Sequence, residues 1–203
     1  MKTTILTIFS ALVLSTGIAK TTYAASAKNE NVTVLNDISA INKIEVHGNV
    51  ELYISDGATD QVKVYNKYYA ESALVQSANG VLRISSYKAE KLVVWVTAND
   101  LRSVSAYDNA EVKSFGDLSK IEFNVDLHNT SSAKLNLEAY SANVTVNDQA
   151  KANLSGTVSE VDLKYSHAEN VNYTNLVTEH ASKTCTTASA SLVKNELDEI
   201  ADL

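Results

Sequence analysis

Proline is absent from this 203-residue chain, and glycine occurs only six times. No proline-rich or glycine-rich linker therefore divides it into parts. Cysteine occurs once, at Cys185, so no disulfide can staple the fold internally. Stability must come from packing and hydrogen bonds. Such a lone cysteine is either a small core residue or a nucleophile, and nothing nearby in sequence points to a lowered pKa. Arginine is confined to Arg83 and Arg102, too few for a guanidinium clamp. The net charge is -7, which argues against a nucleic-acid partner, since phosphates call for a concentrated basic face. The four histidines, His47, His128, His167 and His180, lack the close spacing of a zinc helix. The Gly-Gly-x-Gly-x-Asp frame of calcium-binding nonapeptides is missing as well. No cofactor or metal is expected, although stacked turns would leave His128 and His167 free to approach one another.

The start of the chain reads as an export signal. Met1-Lys2 is a short cationic start, and Ile5 to Ile18 is an apolar run of signal-peptide length, too short to span a bilayer comfortably. Thr22-Tyr23-Ala24 and Ala25-Ser26-Ala27 both suit a signal peptidase, so cleavage after Ala24 or Ala27 is expected. Loss of Lys2 and Lys20 with the leader would take the net charge to about -9. No second apolar run follows, so the product is expected to be exported and not membrane-spanning. A polar linker is expected at residues 28–37, and a single domain at 38–203.

Hydrophobic residues make up 45% of the chain and charged residues 20%, enough to build a core. Period-two alternation starts at Ile44 and Val46 and continues through Val50, Leu52 and Ile54. Asp56-Gly57 and Asn79-Gly80 read as turns. Leu92 to Val96, with Trp95, resembles a strand buried on both faces. Lys67 to Asn79 is polar and less regular, with room for a helical turn or a long loop.

From Leu101 to Leu192 a short polar turn ending in alanine recurs. The markers are Ala110, Ala133, Ala150, Ala168 and Ala190, separated by 23, 17, 18 and 22 residues. Self-similarity near 20 residues is the mark of a solenoid. Stretches such as Asn143 to Asn147 have period two and β-branched residues, so the coils are expected to be strands and not helices. The fold class is therefore all-β: a parallel β-helix-like solenoid with a β-rich N-terminal start. Val193, Leu197 and Ile200 fall at helical spacing and suggest a last partial coil or a capping helix.

Ile41 to Ile54, Gly80 to Ile84 and Val93 to Ala110, followed by the small polar alanine turns, resemble the head GIN domain family of exported bacterial proteins, described as auto-transporter adhesins. The resemblance covers roughly Ile38 to Leu197. It implies a right-handed β-helix-like fold outside the cytoplasm and a role in surface attachment, and it brings no catalytic residues. The family's turn glycine is replaced here by Asn109, Ser132, Gln149 or His167.

Two function classes follow. The first is a non-enzymatic envelope protein that binds a polysaccharide or a surface protein through exposed rings, with Tyr68, Tyr69, Tyr107 and Tyr140 as the candidate binding residues. The second is a carbohydrate-active enzyme built on Glu122, Asp126, Asp148, Glu160 and Asp162. A purely structural envelope role is a third. A flat face of Thr, Asn and Ser would favour binding or scaffolding, whereas clustered acids in a concavity would favour chemistry.

Overall fold

The alternating residues fold as their period demands. In the computed structural model, which describes residues 32–35, 38, 40–65 and 73–186, Ile44, Val46, Val50, Leu52 and Ile54 are all fully buried. They belong to strands β2 (Lys43–Gly48) and β3 (Val50–Asp56). Around them lie β1 (Val32–Leu35), β4 (Gln61–Tyr65), β5 (Ala73–Ala78), β6 (Val81–Ser86) and β7 (Leu92–Ala98). Short strands β8 (Ser103–Ala106) and β9 (Glu111–Ser114) lead to β10 (Leu118–Leu127) and to three long strands, β11 (Ser132–Val146), β12 (Lys151–Tyr165) and β13 (Val171–Cys185). A three-residue 3-10 turn, Ala168–Asn170, separates the last two.

Among the described residues, all thirteen strands join one curled, mixed sheet with the outline of a half-barrel. Its parallel part runs through β2, β3, β6 to β13. The antiparallel pairs are β1 with β4, β4 with β7, and β5 with β6. The sheet is thus not uniformly parallel, and the N-terminal part supplies the exceptions. Strand β1 falls within the stretch read as a linker, and β5 within the irregular polar segment.

Two apolar ladders show why the strands align as they do. One runs Leu82, Ile44, Val104, Val125, Val144, Leu163 across six strands, every member buried. The other runs Val64, Val94, Leu52, Val112, Ala133, Ala152, Val171. A slip of one residue would turn a whole strand's apolar set outward, so burial fixes the register. Strand β7 keeps alternation as well: Leu92, Val94 and Val96 are buried, while Val93 and Trp95 are half-buried on the outer side. It is therefore not a strand covered equally on both faces.

The repeat frame differs from the alanine spacing. Tyr107–Ala110, His128–Ser131 and Asn147–Ala150 form equivalent turns, each closed by a backbone bond from its fourth N–H to its first carbonyl, at 3.2, 3.1 and 3.1 Å. Ala110 therefore matches Ser131 and Ala150, and Ala133 pairs with Val112 in the second ladder. Ser131 takes the small-residue corner because its hydroxyl is satisfied there, donating to the Ala106 carbonyl at 3.1 Å. The leader, Tyr68, Tyr69, the Ala190 turn and the Val193, Leu197, Ile200 pattern lie outside the described residues.

Candidate binding surface

Residues between the buried rungs point outward, and the register sets them in columns. Beside the second ladder one column reads Lys63, Trp95, Tyr53, Lys113, Lys134, Asn153, Asn172. Neighbouring strands lie about 4.8 Å apart, so side chains of successive rungs touch. Tyr53 stacks on Trp95 with ring centroids 4.7 Å apart and planes 21° off parallel. Tyr65 and Phe115 meet the indole at 6.4 and 5.1 Å, both tilted at 58°. Phe115 is the open member of the four, 61% exposed.

Charge closes the other side of the rings. Lys113 Nζ lies 5.7 Å from the Tyr53 ring centroid, a cation-π placement. The same ammonium pairs with Glu51 at 2.5 Å and Glu111 at 3.1 Å. Lys91 pairs with Glu111 too. Hydrogen bonding from Lys113 holds the Glu51 carboxyl below its ordinary range, and Lys91 does the same for Glu111. In return Glu51, then Glu111, push Lys113 up to about 12. The Tyr53 hydroxyl donates to Glu51 at 2.8 Å, and the carboxylate raises its pKa.

Past Lys113 the column enters a shallow groove of about 300 Å³. Lys113, Ser132, Lys134, Lys151, Asn153, Glu169 and Asn172 are among its lining residues. Neither Lys134 nor Lys151 forms an ion pair among the described residues, and both are exposed.

Over residues 40–196 the sequence matches the family described as "Putative auto-transporter adhesin, head GIN domain". The chain belongs to the head GIN domain family. Solved structures of similar fold include an adhesin, so described as putative, from Parabacteroides distasonis, with a TM-score of 0.57, 14% identity, and coverage of 76% of this chain and 78% of that one. Another so described, from Parabacteroides merdae, has a TM-score of 0.54 at 14% identity over 75% of each chain. A protein from Parabacteroides distasonis described as a putative lipid binding protein has a TM-score of 0.53 at 8% identity, over 75% of this chain and 76% of that one. No curated protein matches the chain.

In this GIN domain, Tyr107 and Tyr140 are not members of the Trp95 column. Tyr107 is half-buried between two imidazoles. His47 stacks on one face at 4.4 Å and 2°, and His128 on the other at 4.7 Å and 5°. Its two ring faces are therefore occupied. Tyr140 is 59% exposed at a corner of β11, and its hydroxyl donates to Glu160 at 3.0 Å. That carboxylate raises the Tyr140 pKa.

The acidic residues share an outward face but not adjacent rungs of one column. Ser141 separates Glu122 from Glu160. Asp162 pairs with Lys164 at 3.0 Å, and Asp126 with His128 at 2.9 Å. Asp148 accepts the Asn129 N–H at 2.8 Å. The columns between them hold Ser141, Asn143, Thr145, Ser182 and Thr184, and an open polar hollow of about 610 Å³ lies here, lined by Ser141, Asn143, Glu160, Asp162, Glu179, His180 and Ser182 among others. His128 faces Asn147 on the next rung at 3.4 Å, so register keeps it apart from His167. Among the described residues no three His, Cys, Asp or Glu side chains gather as a metal group. Cys185 is half-buried, with its Sγ 3.7 Å from the Ser166 carbonyl. No helix among the described residues is long and apolar enough to cross a membrane.

Sequence reasoning missed Tyr53, Phe115 and the outward placing of Trp95. A local signal existed, because Tyr53 alternates with Leu52 and Ile54. The pairing of Tyr53 with Trp95, 42 residues later, had no such signal.

Proposed function

We propose that this chain is an exported, non-enzymatic envelope protein that binds a polysaccharide or a surface protein, in keeping with an adhesin role. The observation that carries the reading is the ring cluster of Tyr53, Tyr65, Trp95 and Phe115 on an outward sheet face. Phe115, the open ring of the four, supplies contact area at low entropic cost to a sugar or a protein partner. On the other face the hollow is open, and two of its carboxylates, Glu160 and Asp162, are engaged by Tyr140 and Lys164, which favours recognition or scaffolding over an enclosed reaction site. Family membership and the adhesin-described neighbours support the same reading. We further propose that the parallel rungs are coils of a right-handed β-helix-like solenoid, supported by pairings 19 to 21 residues apart in β9 to β13. Export is supported by the leader, with cleavage after Ala24 or Ala27.

The test is retention of envelope material by the mature, immobilised chain. Cell-envelope polysaccharide and surface-protein fractions are passed over it, and Phe115→Ala and Tyr53→Ala variants serve as probes. Retention that drops at least tenfold in both variants supports the reading. Absence of retention from either fraction overturns it. N-terminal sequencing of the exported product checks the cleavage site: a start at Ala25 or Lys28 is expected, and an intact Met1 would refute the leader assignment.

A further inference from the structure

The groove beside the ring cluster carries a charge opposite to that of the chain as a whole. The chain is -7 overall, yet Lys113, Lys134 and Lys151 line the groove against a single carboxylate, Glu169. Lys113 is committed to Glu51 and Glu111. Lys134 and Lys151 have no ion-pair partner among the described residues. Resting on the reading of this face as a binding surface, we propose that its ligand is an acidic polysaccharide whose carboxylates meet Lys134 and Lys151.

Register gives the proposal its geometry. Lys134 pairs with Lys113 on one side and Asn153 on the other, while Lys151 pairs with Ser132 on the neighbouring column. The two free lysines therefore sit one rung and one column apart, diagonal to each other on a nearly flat face. Rungs repeat at about 4.8 Å, so anionic groups recurring along an extended polymer can meet successive rungs. Ser132, Asn153 and Asn172 offer donors and acceptors to sugar hydroxyls, and the open ring of Phe115, packed against Trp95, offers an apolar surface beside the column. The groove is shallow, which suits a chain lying along it.

Other polyanions fit less well. Nucleic acid favours arginine forks and a broad basic field. Here both arginines are engaged elsewhere, Arg83 with Glu45 at 2.7 Å and Arg102 with Asp100 at 2.6 Å. Glu51, Glu111 and Glu169 would also repel a dense row of phosphates. A sparser charge, one carboxylate per sugar, matches two free lysines.

The experiment uses the mature chain with polygalacturonate and its methyl ester, the same backbone with and without charge. Trp95 is the sole tryptophan, so its fluorescence reports binding at this face without a label. Polygalacturonate is expected to bind at least tenfold more tightly than the ester and to weaken as salt rises. The Lys134→Ala, Lys151→Ala double variant should lose that preference while its circular dichroism stays unchanged. Equal binding of acid and ester, or an unaffected double variant, overturns the acidic-ligand assignment. If envelope fractions are still retained through Phe115 in that case, the binding-surface reading survives alone. Failure of both polymers to bind overturns the assignment as well, and equal, lysine-dependent binding of single-stranded DNA or anionic vesicles would overturn the sugar class.

Discussion

Asp108 Oδ2 accepts the backbone N–H of Gly48 at 3.1 Å, from a position 60 residues later in the chain. The contact is the first rung of a series. Asp108 N–H donates to Asn129 Oδ1 at 3.0 Å, and Asn129 N–H donates to Asp148 Oδ2 at 2.8 Å. All three side chains belong to residues in the left-handed region, with φ of 60, 57 and 55°. Asn and Asp tolerate that conformation and can bond a neighbouring backbone, which explains their recurrence at this turn position.

The middle rung is the informative one to cut. Asn129→Ala removes the acceptor for Asp108 N–H and leaves alanine in a conformation it disfavours. Each effect costs about 1 kcal/mol, so a loss of roughly 2 kcal/mol is expected in urea unfolding. Asn129→Gly restores the conformation but not the acceptor and should recover about half of the loss. Equal stability of all three proteins would show that the side-chain series contributes nothing.

Tyr107, a candidate binding residue by sequence, is placed where its ring serves the fold. Stacks of this kind contribute about 0.5–1.5 kcal/mol each, so Tyr107→Ala should cost roughly 1–3 kcal/mol, while Tyr107→Phe keeps most of the stability. Tyr140→Phe removes only an exposed hydroxyl contact and should leave the unfolding midpoint within error. A Tyr107→Ala variant of unchanged stability but weakened retention of envelope fractions would return Tyr107 to the binding role.

These residues also mark what was legible. The strands around Ile44, Leu52 and Leu82 could be read because local alternation and burial on one face are the same fact. The turn at Asn79-Gly80 was equally plain, and both residues take positive φ, 52 and 79°. The alanine frame misled because Ser131 and Ala150 fit the same small corner, and the constant feature is the left-handed Asp or Asn before it. The antiparallel pairs of β4 with β1 and β7, and the Trp95 cluster, depend on partners tens of residues away. Apolar alternation says which side a residue faces, not which strand lies next to it.

Gly156 has a φ of 101°, and a Cβ built there would lie 2.1 Å from the Leu137 carbonyl oxygen on the paired strand. Gly156→Ala must therefore move backbone, and about 3 kcal/mol of destabilisation is expected. Gly116 is the control, since its φ is 82° but nothing lies within 4 Å of its Cβ position. Gly116→Ala should cost only the conformational part, about 1 kcal/mol. The difference between the two unfolding free energies measures the close approach of β11 and β12, and equal losses would argue against this register.

Glu51, Glu111 and Lys113 give the outer face a predictable pH dependence. The folded-state pKa of each carboxylate is below the 4.5 of the free side chain, so their stabilisation is complete above 4.5 and is lost as pH falls through the lowered folded value. Lys113 has the opposite sign. Its folded pKa of about 12 exceeds the ordinary 10.5, so its stabilisation is complete below 10.5 and is lost as pH rises through 12. These three groups should therefore contribute evenly between 4.5 and 10.5 and decline on either side. Lys113→Met removes the shared cation, and denaturation measured across pH should show a shallower decline below 4.5 than in the parent. It should also abolish the part of the alkaline decline that Lys113 supplies. Parallel curves for parent and variant at both ends would mean that the Glu51 and Glu111 pairs do not survive in solution.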